Sequence, residues 1–262
     1  MGLPYGTALV TGASSGIGRA FACALAAAGT DLVLVARRRP RLEEMAAELA
    51  ADHARRVDVI EADLTEPDQR AVVEDRLADS EHPIDVLVNS AGFGTEGRFS
   101  DLPVEGEEQE VLLNVLCLLR LTHAALPGMI ERGRGAVINV SSIAGHQPIP
   151  MWATYSATKA FVTSFSRALS AEVEGTGVRV LTLMPGFTRT EFHEQTGLTR
   201  ELIPGPAWMT PDEVAAIALR ALERGRTDSI PGLHYRALAT ASRLSPWPLT
   251  KRVLKVATRR LA

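Results

Sequence analysis

Short apolar runs alternate with amphipathic stretches along almost the whole chain, and this alternation constrains the fold more than any other feature. Several of the apolar runs are nearly continuous in Val, Ile and Leu. Such runs are typical of parallel strands that are covered on both faces. The amphipathic stretches between them have the spacing of helices that pack against a sheet on one side. The alternation therefore predicts an α/β fold with right-handed crossovers between parallel strands.

The predicted elements indicate a Rossmann-type doubly wound parallel sheet of about seven strands, with helices on both faces. The predicted strands are Ala8–Val10, Leu32–Val35, Val57–Glu61, Val86–Asn89, Ala136–Val140, Val178–Met184 and Ser229–Ile230. The predicted helices are Ile17–Ala28, Arg41–His53, Pro67–Ala78, Glu107–Arg132, Trp152–Glu174 and Pro211–Arg224.

The chain has no internal repeat and no linker rich in Gly or Ser, so residues 1–245 are predicted to form a single catalytic domain. Within it, residues 186–210 form a long excursion between a strand and a helix. Loops of this length in compact domains are usually functional, and this one is a candidate substrate loop.

Residues 246–262 are predicted to form a separate C-terminal tail. From Leu249 onward the tail has five basic residues and no acidic residue. Wound as a helix it is amphipathic, so it can lie at the periphery of an anionic membrane, dock on a neighbouring subunit or dock on its own domain.

Composition and charge narrow the classes of protein to which the chain could belong. The net charge of −3 argues against nucleic-acid binding, and 46 % apolar with 23 % charged residues is ordinary for a soluble globular protein. No uninterrupted apolar run reaches the ~18 residues that span a bilayer, and a strand begins near Thr7, which leaves no room for a signal peptide. Cys23 and Cys117 are expected to be buried free thiols. We therefore expect a cytoplasmic protein, with peripheral membrane contact through the tail as the alternative.

The segment Thr11-Gly-Ala-Ser-Ser-Gly-Ile-Gly18 follows the first predicted strand and opens the first helix. Glycines at these positions let the backbone turn tightly and approach a pyrophosphate, while the helix N-terminus offers free N–H groups. The turn therefore predicts dinucleotide binding rather than a plain structural turn. The predicted contacts are Gly12, Ser14, Ser15, Gly16, Ile17 and Gly18.

The end of the second predicted strand indicates which dinucleotide is bound. NAD-preferring sites place an acidic residue there for the ribose 2′-hydroxyl, but here the residues are Val35-Ala36-Arg37-Arg38. Arg37 can pair with a 2′-phosphate through charge-assisted hydrogen bonds, unless it belongs only to a solvated basic turn. NADP(H) is therefore favoured over NAD(H).

Tyr155 and Lys159 are four residues apart, which on a helix places them on one face. A free phenol has a pKa of about 10, and a nearby ammonium favours the phenolate. Lys159 is therefore expected to lower the pKa of Tyr155, so that this residue can act as acid/base for a carbonyl/alcohol pair. The spacing alone occurs by chance in many helices. Its weight comes from the glycine-rich turn upstream and from Ser141-Ser142, which end a predicted strand.

Taken together, these motifs resemble the short-chain dehydrogenase/reductase family, in its NADP-preferring form. The resemblance covers nearly the whole chain, in the family's order and spacing. It is carried by Thr11–Gly18, Asp63-Leu64, Asp85–Gly92, Asn114, Ile138–Gly145, Tyr155-Ser-Ala-Thr-Lys159, Pro185-Gly186 and Thr188.

The resemblance implies catalytic roles for Ser142, Tyr155, Lys159 and Asn114. Ser142 matches the serine that holds the substrate oxygen, and Tyr155 matches the proton donor and acceptor. Lys159 matches the residue that also binds the nicotinamide ribose. Asn114 matches an asparagine that supports a water-linked proton relay, with a helix-packing role as its alternative.

The resemblance also implies cofactor contacts beyond the glycine-rich turn. Asp63 matches the acid beside the adenine amino group, and Thr188 matches a contact to the nicotinamide carboxamide. Ser90 departs from the family, which often has a second asparagine there. The implied contacts are Arg37, Asp63, Leu64, Asn89, Ala91, Gly92, Tyr155, Lys159, Pro185, Gly186 and Thr188. No metal site is predicted.

The implied function is hydride transfer between NADP(H) and a small-molecule carbonyl or alcohol, in a homodimer or homotetramer built on the long helices. Apolar residues in the 186–210 loop indicate a hydrophobic substrate, such as a 3-oxoacyl chain, a steroid or a simple ketone, unless they only pack the loop on its own domain. These residues are Phe187, Phe192, Leu198, Ile203, Trp208 and Met209, with Trp152 ahead of Tyr155. The alternatives are a non-catalytic NADP(H)-binding sensor or scaffold and a sugar-nucleotide epimerase; epimerases resemble longer chains with a larger substrate domain.

Overall fold

A computed structural model of the protein describes residues 5–192 and 205–244, and within these ranges seven strands form one parallel sheet. The strands are β1 (Thr7–Thr11), β2 (Asp31–Ala36), β3 (Val57–Glu61), β4 (Val86–Asn89), β5 (Gly135–Val140), β6 (Val178–Leu183) and β7 (Asp228–Ser229). Their order is β3-β2-β1-β4-β5-β6-β7, so the chain winds outward from β1 in both directions. The predicted doubly wound fold is confirmed.

Helices follow the strands as the alternation predicts, and most boundaries differ from the prediction by one to three residues. The helices are α1 (Gly16–Ala27), α2 (Arg39–His53), α3 (Pro67–Ala78), α4 (Val104–Val111), α5 (Leu118–Glu131), α6 (Ala153–Glu172), α7 (Pro211–Glu223) and α8 (Leu233–Leu244). The single long helix predicted over Glu107–Arg132 is instead α4 and α5, joined by a π-helical segment at Leu112–Cys117. Helix α8 was not predicted.

Two apolar layers hold the helices against the sheet. In β1, Val10 belongs to the layer beneath α1, α2 and α7, whereas Leu9 belongs to the layer beneath α3, α5 and α6. Successive strand residues point to opposite faces, so a continuous apolar strand supplies both layers. Because both faces of β1 are buried, its residues do not alternate between apolar and polar.

The region Val104–Glu131 is the one stretch of the described residues that is long and apolar enough, by length and composition alone, to cross a membrane. The sequence predicts no membrane-spanning segment when only uninterrupted apolar runs are considered. In the fold, Leu121, Ala125 and Met129 of α5 are buried in the layer shared with α3 and α6. The α5 part of the stretch therefore packs within the α/β domain.

Two predicted features lie outside the described residues. One is the part of the substrate loop that contains Leu198 and Ile203, and the other is the tail at residues 246–262. The division into a domain of residues 1–245 and a tail stays a prediction.

Candidate active site

The carboxyl ends of the central strands open onto a cavity of about 970 Å³. Parallel α/β sheets place ligands at this edge, and the volume suits a cofactor together with a substrate. Most of the predicted site residues line the cavity: Gly12, Ser14, Ser15, Gly16, Ile17, Gly18, Arg37, Asp63, Leu64, Ala91, Gly92, Ser142, Tyr155, Lys159, Pro185, Gly186 and Thr188. The fold thus brings together residues that are far apart in sequence.

The glycine-rich turn has the backbone geometry that its sequence predicts. Gly12 and Gly16 have φ angles of +66° and +54°, which side chains rarely adopt. A Cβ atom at Gly18 would lie 2.3 Å from the Gly12 carbonyl oxygen, so only glycine lets α1 begin this close to the turn. The first residues of α1 line the cavity, and the free N–H groups of a helix N-terminus can bind a phosphate there.

Arg37 and Asp63 lie together at the adenosine end of the cavity, where an Arg37 Nη1–Asp63 Oδ2 distance of 3.7 Å marks an ion pair. Partial burial acts to raise the pKa of Asp63. The hydrogen bonds from Thr65 and the charge of Arg37 outweigh it, and the pKa is lowered. Asp63 is therefore held as a carboxylate beside the predicted adenine site.

A second arginine at this end, Arg38, joins the turn to the substrate loop. Its guanidinium donates to Ser14 Oγ from Nη2 at 3.0 Å and to Glu191 from Nη1 at 3.0 Å. Arg41 also donates to Glu191, at 2.7 Å. Glu191 therefore holds two cations at the rim of the cavity, and this contact ties the first residues of the loop to the cofactor end.

Tyr155 and Lys159 lie on one face of α6, as their spacing predicts. Lys159 Nζ is 5.7 Å from the centre of the Tyr155 ring and donates to the Val140 carbonyl oxygen at 3.1 Å. The Ser142 hydroxyl hydrogen-bonds Tyr155 and accepts from Ala144 N at 3.1 Å. Ser142, Tyr155 and Lys159 thus lie in the same part of the cavity wall.

Ser141 has a different role from its neighbour Ser142. Its hydroxyl donates to the Lys159 carbonyl oxygen at 2.7 Å and contacts Thr163 Oγ1 at the same distance. These bonds attach the end of β5 to α6. Both serines line the cavity, but of the two it is the Ser142 hydroxyl that hydrogen-bonds Tyr155.

The protein groups do not lower the pKa of Tyr155 as expected. Burial raises the pKa of Tyr155 to about 12; the Ser142 hydrogen bond opposes this shift, and the charge of Glu110 adds to it. Burial also lowers the pKa of Lys159 to about 8, against the charge of Glu110. The expectation was wrong in direction because helix spacing places Lys159 near the phenol but says nothing about how much water both groups lose.

Two predicted residues do not line the cavity. The Asn89 side chain donates to Asn139 Oδ1 at 2.9 Å and to Thr122 Oγ1 at 3.0 Å, so it faces the sheet interior rather than a cofactor. Asn114 lies in the π-helical segment; its amide donates to the Phe93 carbonyl at 2.8 Å and accepts from Phe93 N at 3.1 Å. Asn114 therefore positions the segment after β4 from behind the cavity.

The far half of the cavity is apolar. The Phe192 ring lies 5.3 Å from the Tyr155 ring and 6.2 Å from the Trp152 ring, centre to centre. Ile143, Ile149, Phe187, Leu238 and Ala239 also line the cavity. Within residues 5–192 and 205–244, no group of three or more His, Cys, Asp or Glu side chains could hold a metal ion.

A family model described as short chain dehydrogenase matches residues 6–201 of the chain. The chain belongs to the short chain dehydrogenase family. This finding confirms the resemblance drawn from the motifs.

Individual relatives are similar to the chain over more than two thirds of its length. A short chain dehydrogenase of Pseudocercospora fijiensis is 40 % identical over 189 residues, which are 71 % of this chain and 60 % of the relative. Sulfoacetaldehyde reductase 2 of Chromohalobacter salexigens is 41 % identical over 188 residues, 70 % of this chain and 73 % of the relative. The first of these matches thus spans less than two thirds of the relative's length.

Among solved structures, a short-chain dehydrogenase from Sphingobium yanoikuyae in complex with NADPH is similar, with a TM-score of 0.84 and 38 % identity. The comparison covers 90 % of this chain and 93 % of that one.

Sequence reasoning missed three features of this short chain dehydrogenase. Leu238 and Ala239 line the cavity from α8, whose spacing of Tyr235 and Ala239 is helical and could have predicted it. Tyr235 accepts from Phe187 N and donates to the Ala207 carbonyl, so it joins the two described ends of the substrate loop. The Arg38–Glu191 pair had no sequence signal, because 153 positions separate its members.

Proposed function

We propose that this short chain dehydrogenase is an oxidoreductase that transfers a hydride between NADP(H) and a carbonyl/secondary alcohol pair, with Tyr155 as its acid/base. The observation that best supports this proposal is the position of Tyr155. It lines the same cavity as the glycine-rich turn and the apolar residues. A screen of NADPH oxidation across ketosteroids, 3-oxoacyl thioesters and simple ketones tests the proposal. Absence of turnover with every class would favour the alternative of a cofactor-binding sensor.

The residues of the cavity fit a nicotinamide dinucleotide. The glycine-rich turn leaves room for a pyrophosphate at α1, while Arg37 and Arg38 supply cations at the adenosine end. Lys159 and Thr188 line the opposite end, where the nicotinamide would lie. When bound, this group supplies or accepts the hydride. The NADPH complex of the Sphingobium yanoikuyae structure supports this assignment.

The chain's own residues would perform the proton chemistry. The Tyr155 hydroxyl donates its proton to the carbonyl oxygen during reduction and takes a proton from the hydroxyl during oxidation. Ser142 holds the same oxygen by a hydrogen bond, and the Lys159 ammonium stabilises negative charge on the phenol. Asn114 keeps the segment after β4 in place, and a water-linked proton relay from Lys159 along this side remains part of the proposal.

We expect Arg37→Ala to weaken NADPH binding by about tenfold while NADH binding changes little. A charge-assisted hydrogen bond to a phosphate is worth about 1.5–3 kcal/mol, and the exposure of Arg37 places the effect at the low end. Fluorescence titration of both cofactors measures the effect without turnover. Arg224→Ala, at the end of α7 and outside this cavity, is the matched control. Equal or tighter binding of NADH by the unmodified protein would contradict the preference for NADP(H).

The substrate is proposed to be hydrophobic. Phe192, Trp152 and Ile149 surround the position beside Tyr155, and Lys159 is the only cation among the described residues that line this half. Within the described part of the chain, this half therefore offers little to a free carboxylate or sulfonate. A steroid, a 3-oxoacyl chain or a bulky ketone matches it better.

Phe192→Ala is expected to raise KM for a bulky aryl ketone by about tenfold, because an aromatic contact worth about 1.4 kcal/mol or more is lost. The KM for a small ketone should change less. Phe99→Ala, which truncates an exposed phenylalanine, is the control. Equal effects of Phe192→Ala on both substrates would argue that Phe192 packs the loop and does not contact substrate.

We also infer a homo-oligomer. Val104, Val111, Leu116, Ile130 and Phe161 are exposed large apolar side chains on α4, the π-helical segment, α5 and α6. Exposed apolar residues concentrated on neighbouring helices suit a subunit interface. This surface supports the predicted homodimer or homotetramer, and the cytoplasmic location stays a prediction.

A further inference from the structure

Two buried carboxyl groups lie on α4, behind the wall of the cavity that carries Tyr155 and Lys159. Glu110 is fully buried and Glu107 is 6 % exposed. Helix α4 packs against α6, which carries Tyr155 and Lys159. None of the proposed proton chemistry uses either carboxyl group. Because burying a carboxylate without partners is costly, their hydrogen bonds need an explanation.

The Thr95 hydroxyl lies between the two carboxyl groups. Its Oγ1 atom is 2.5 Å from Glu107 Oε1 and 2.8 Å from Glu110 Oε2, and Thr95 N donates to the same Glu110 oxygen at 2.9 Å. On the far side, the Thr154 hydroxyl hydrogen-bonds Glu107 Oε2. These contacts form one continuous chain of oxygen atoms from Thr154 to Glu110.

The number of protons in this chain is limited by Thr95. A hydroxyl has a single proton, so it can donate to one carboxyl group but not to both. At 2.5 and 2.8 Å both contacts are hydrogen bonds, and the second therefore needs a proton that a carboxyl group supplies. If both groups were carboxylates, the single Thr95 proton could satisfy only one of them, and the other would face the hydroxyl oxygen lone pairs without a proton. The pair accordingly titrates as a unit.

Burial and the charges around the pair also favour a proton on one of the two carboxyl groups. Burial raises the pKa of Glu110, and the charge of Glu107 raises it further, while the Thr95 hydrogen bonds and the charge of Lys159 oppose this. The other titratable groups nearby are Tyr155 on α6 and Glu96, next to Thr95, whose carboxyl is hydrogen-bonded to the Trp152 side chain. Glu110 Oε1 is buried and has no hydrogen-bond partner. Its charge reaches Lys159 through the protein interior.

We propose that Glu107 and Glu110 hold one proton between them across the Thr95 hydroxyl, and that the remaining negative charge is the buried counter-charge of Lys159. Both are positioning residues, because they act through Lys159 and do not line the cavity. The role of the charge rests on the proposed function. The shared proton does not, and it can be measured without turnover.

Infrared spectroscopy of the protein at neutral pH tests the shared proton. The carbonyl stretch of a protonated carboxylic acid should be present, should shift in D2O, and should be lost in both Glu107→Gln and Glu110→Gln. The band is lost in either variant because the remaining carboxylate accepts from Thr95 and no longer needs a proton. Glu108→Gln, an exposed neighbour on the same helix, should keep it. A spectrum without such a band, or a band unchanged by both substitutions, would overturn the proposal.

The pH dependence of carbonyl reduction tests the counter-charge. Glu107→Gln confines the negative charge to Glu110, whose charge favours the protonated form of Lys159. Glu110→Gln confines the negative charge to Glu107 and removes the effect of Glu110, so Lys159 should lose its proton at lower pH than in Glu107→Gln. We expect the limb of Glu110→Gln to lie about 1 pH unit below that of Glu107→Gln, the effect of one nearby charge.

The two measurements separate the possible failures. Coincident alkaline limbs would overturn the counter-charge role even if the infrared band behaves as expected. Absence of turnover in the unmodified protein would contradict the proposed function and leave the infrared result as the test of the shared proton. If Glu110→Gln does not fold, the unmodified protein and Glu107→Gln still decide the infrared test.

Discussion

Tyr155→Phe is expected to reduce kcat for carbonyl reduction by about 10²–10⁴-fold, while NADPH binding stays within a few-fold of the unmodified protein. The phenol lines the cavity and is hydrogen-bonded to Ser142, which places it to donate a proton there, and removing its oxygen leaves the ring to fill the same space. Burial raises the pKa of the Tyr155 hydroxyl to about 12, so the hydroxyl stays protonated at neutral pH, which suits an acid in the reducing direction. The loss should therefore appear in kcat and not in binding.

Steady-state NADPH oxidation and fluorescence titration of NADPH measure the two effects separately. Tyr5→Phe removes the same atom from a tyrosine outside the cavity and should leave both unchanged. Substantial residual turnover in Tyr155→Phe would contradict the proposed role.

Lys159→Met is expected to reduce kcat by about 10²–10³-fold and also to weaken NADPH binding by about tenfold. The ammonium donates to the Val140 carbonyl, stands 5.7 Å from the Tyr155 ring centre and lines the nicotinamide end of the cavity. Unlike Tyr155, it is therefore placed to act on both the proton transfer and the cofactor.

The stability of Lys159→Met tests the buried counter-charge. Lys159 is 6 % exposed, and burial disfavours its charged form. Removing one partner of a buried charge pair leaves the other charge uncompensated, which costs about 3–5 kcal/mol. The free energy of unfolding of Lys159→Met should therefore be lower than that of the unmodified protein. An unchanged or increased free energy of unfolding would contradict the counter-charge role of the Glu107/Glu110 pair.

The pH profile of the unmodified protein follows from the same lysine. Its pKa is lowered to about 8, so the ammonium is present below this pH and is lost as the pH rises through it. Carbonyl reduction should accordingly decline above about pH 8, and Lys159→Met should lack this limb. A rate that stays constant to pH 10 would show that the charge of Lys159 does not matter for reduction.

The sequence predicts most of the architecture because short-range patterns determine it. Leu9 and Val10 lie in a short continuous apolar run, which is typical of a parallel strand buried on both faces. The glycines at positions 12, 16 and 18 permit positive φ angles and a close approach of backbone to backbone, and both are properties of the residue type itself. The spacing of Tyr155 and Lys159 likewise depends only on helix geometry. Helix α8 shows the limit of such prediction. Its apolar residues have helical spacing, but the pattern covers too few residues to predict a helix.

The tertiary structure alone decides how these residues are surrounded. Asn89 faces Asn139 and Thr122 because β4 lies beside β5, and Arg38 meets Glu191 because the loop after β6 passes over the glycine-rich turn.

Tyr155 is the clearest case. Its place on the helix is determined by sequence, but its pKa is set by the loss of water and by Glu110, which reaches it from another helix. Desolvation and charge depend on which distant segments pack together, and no local pattern contains that information.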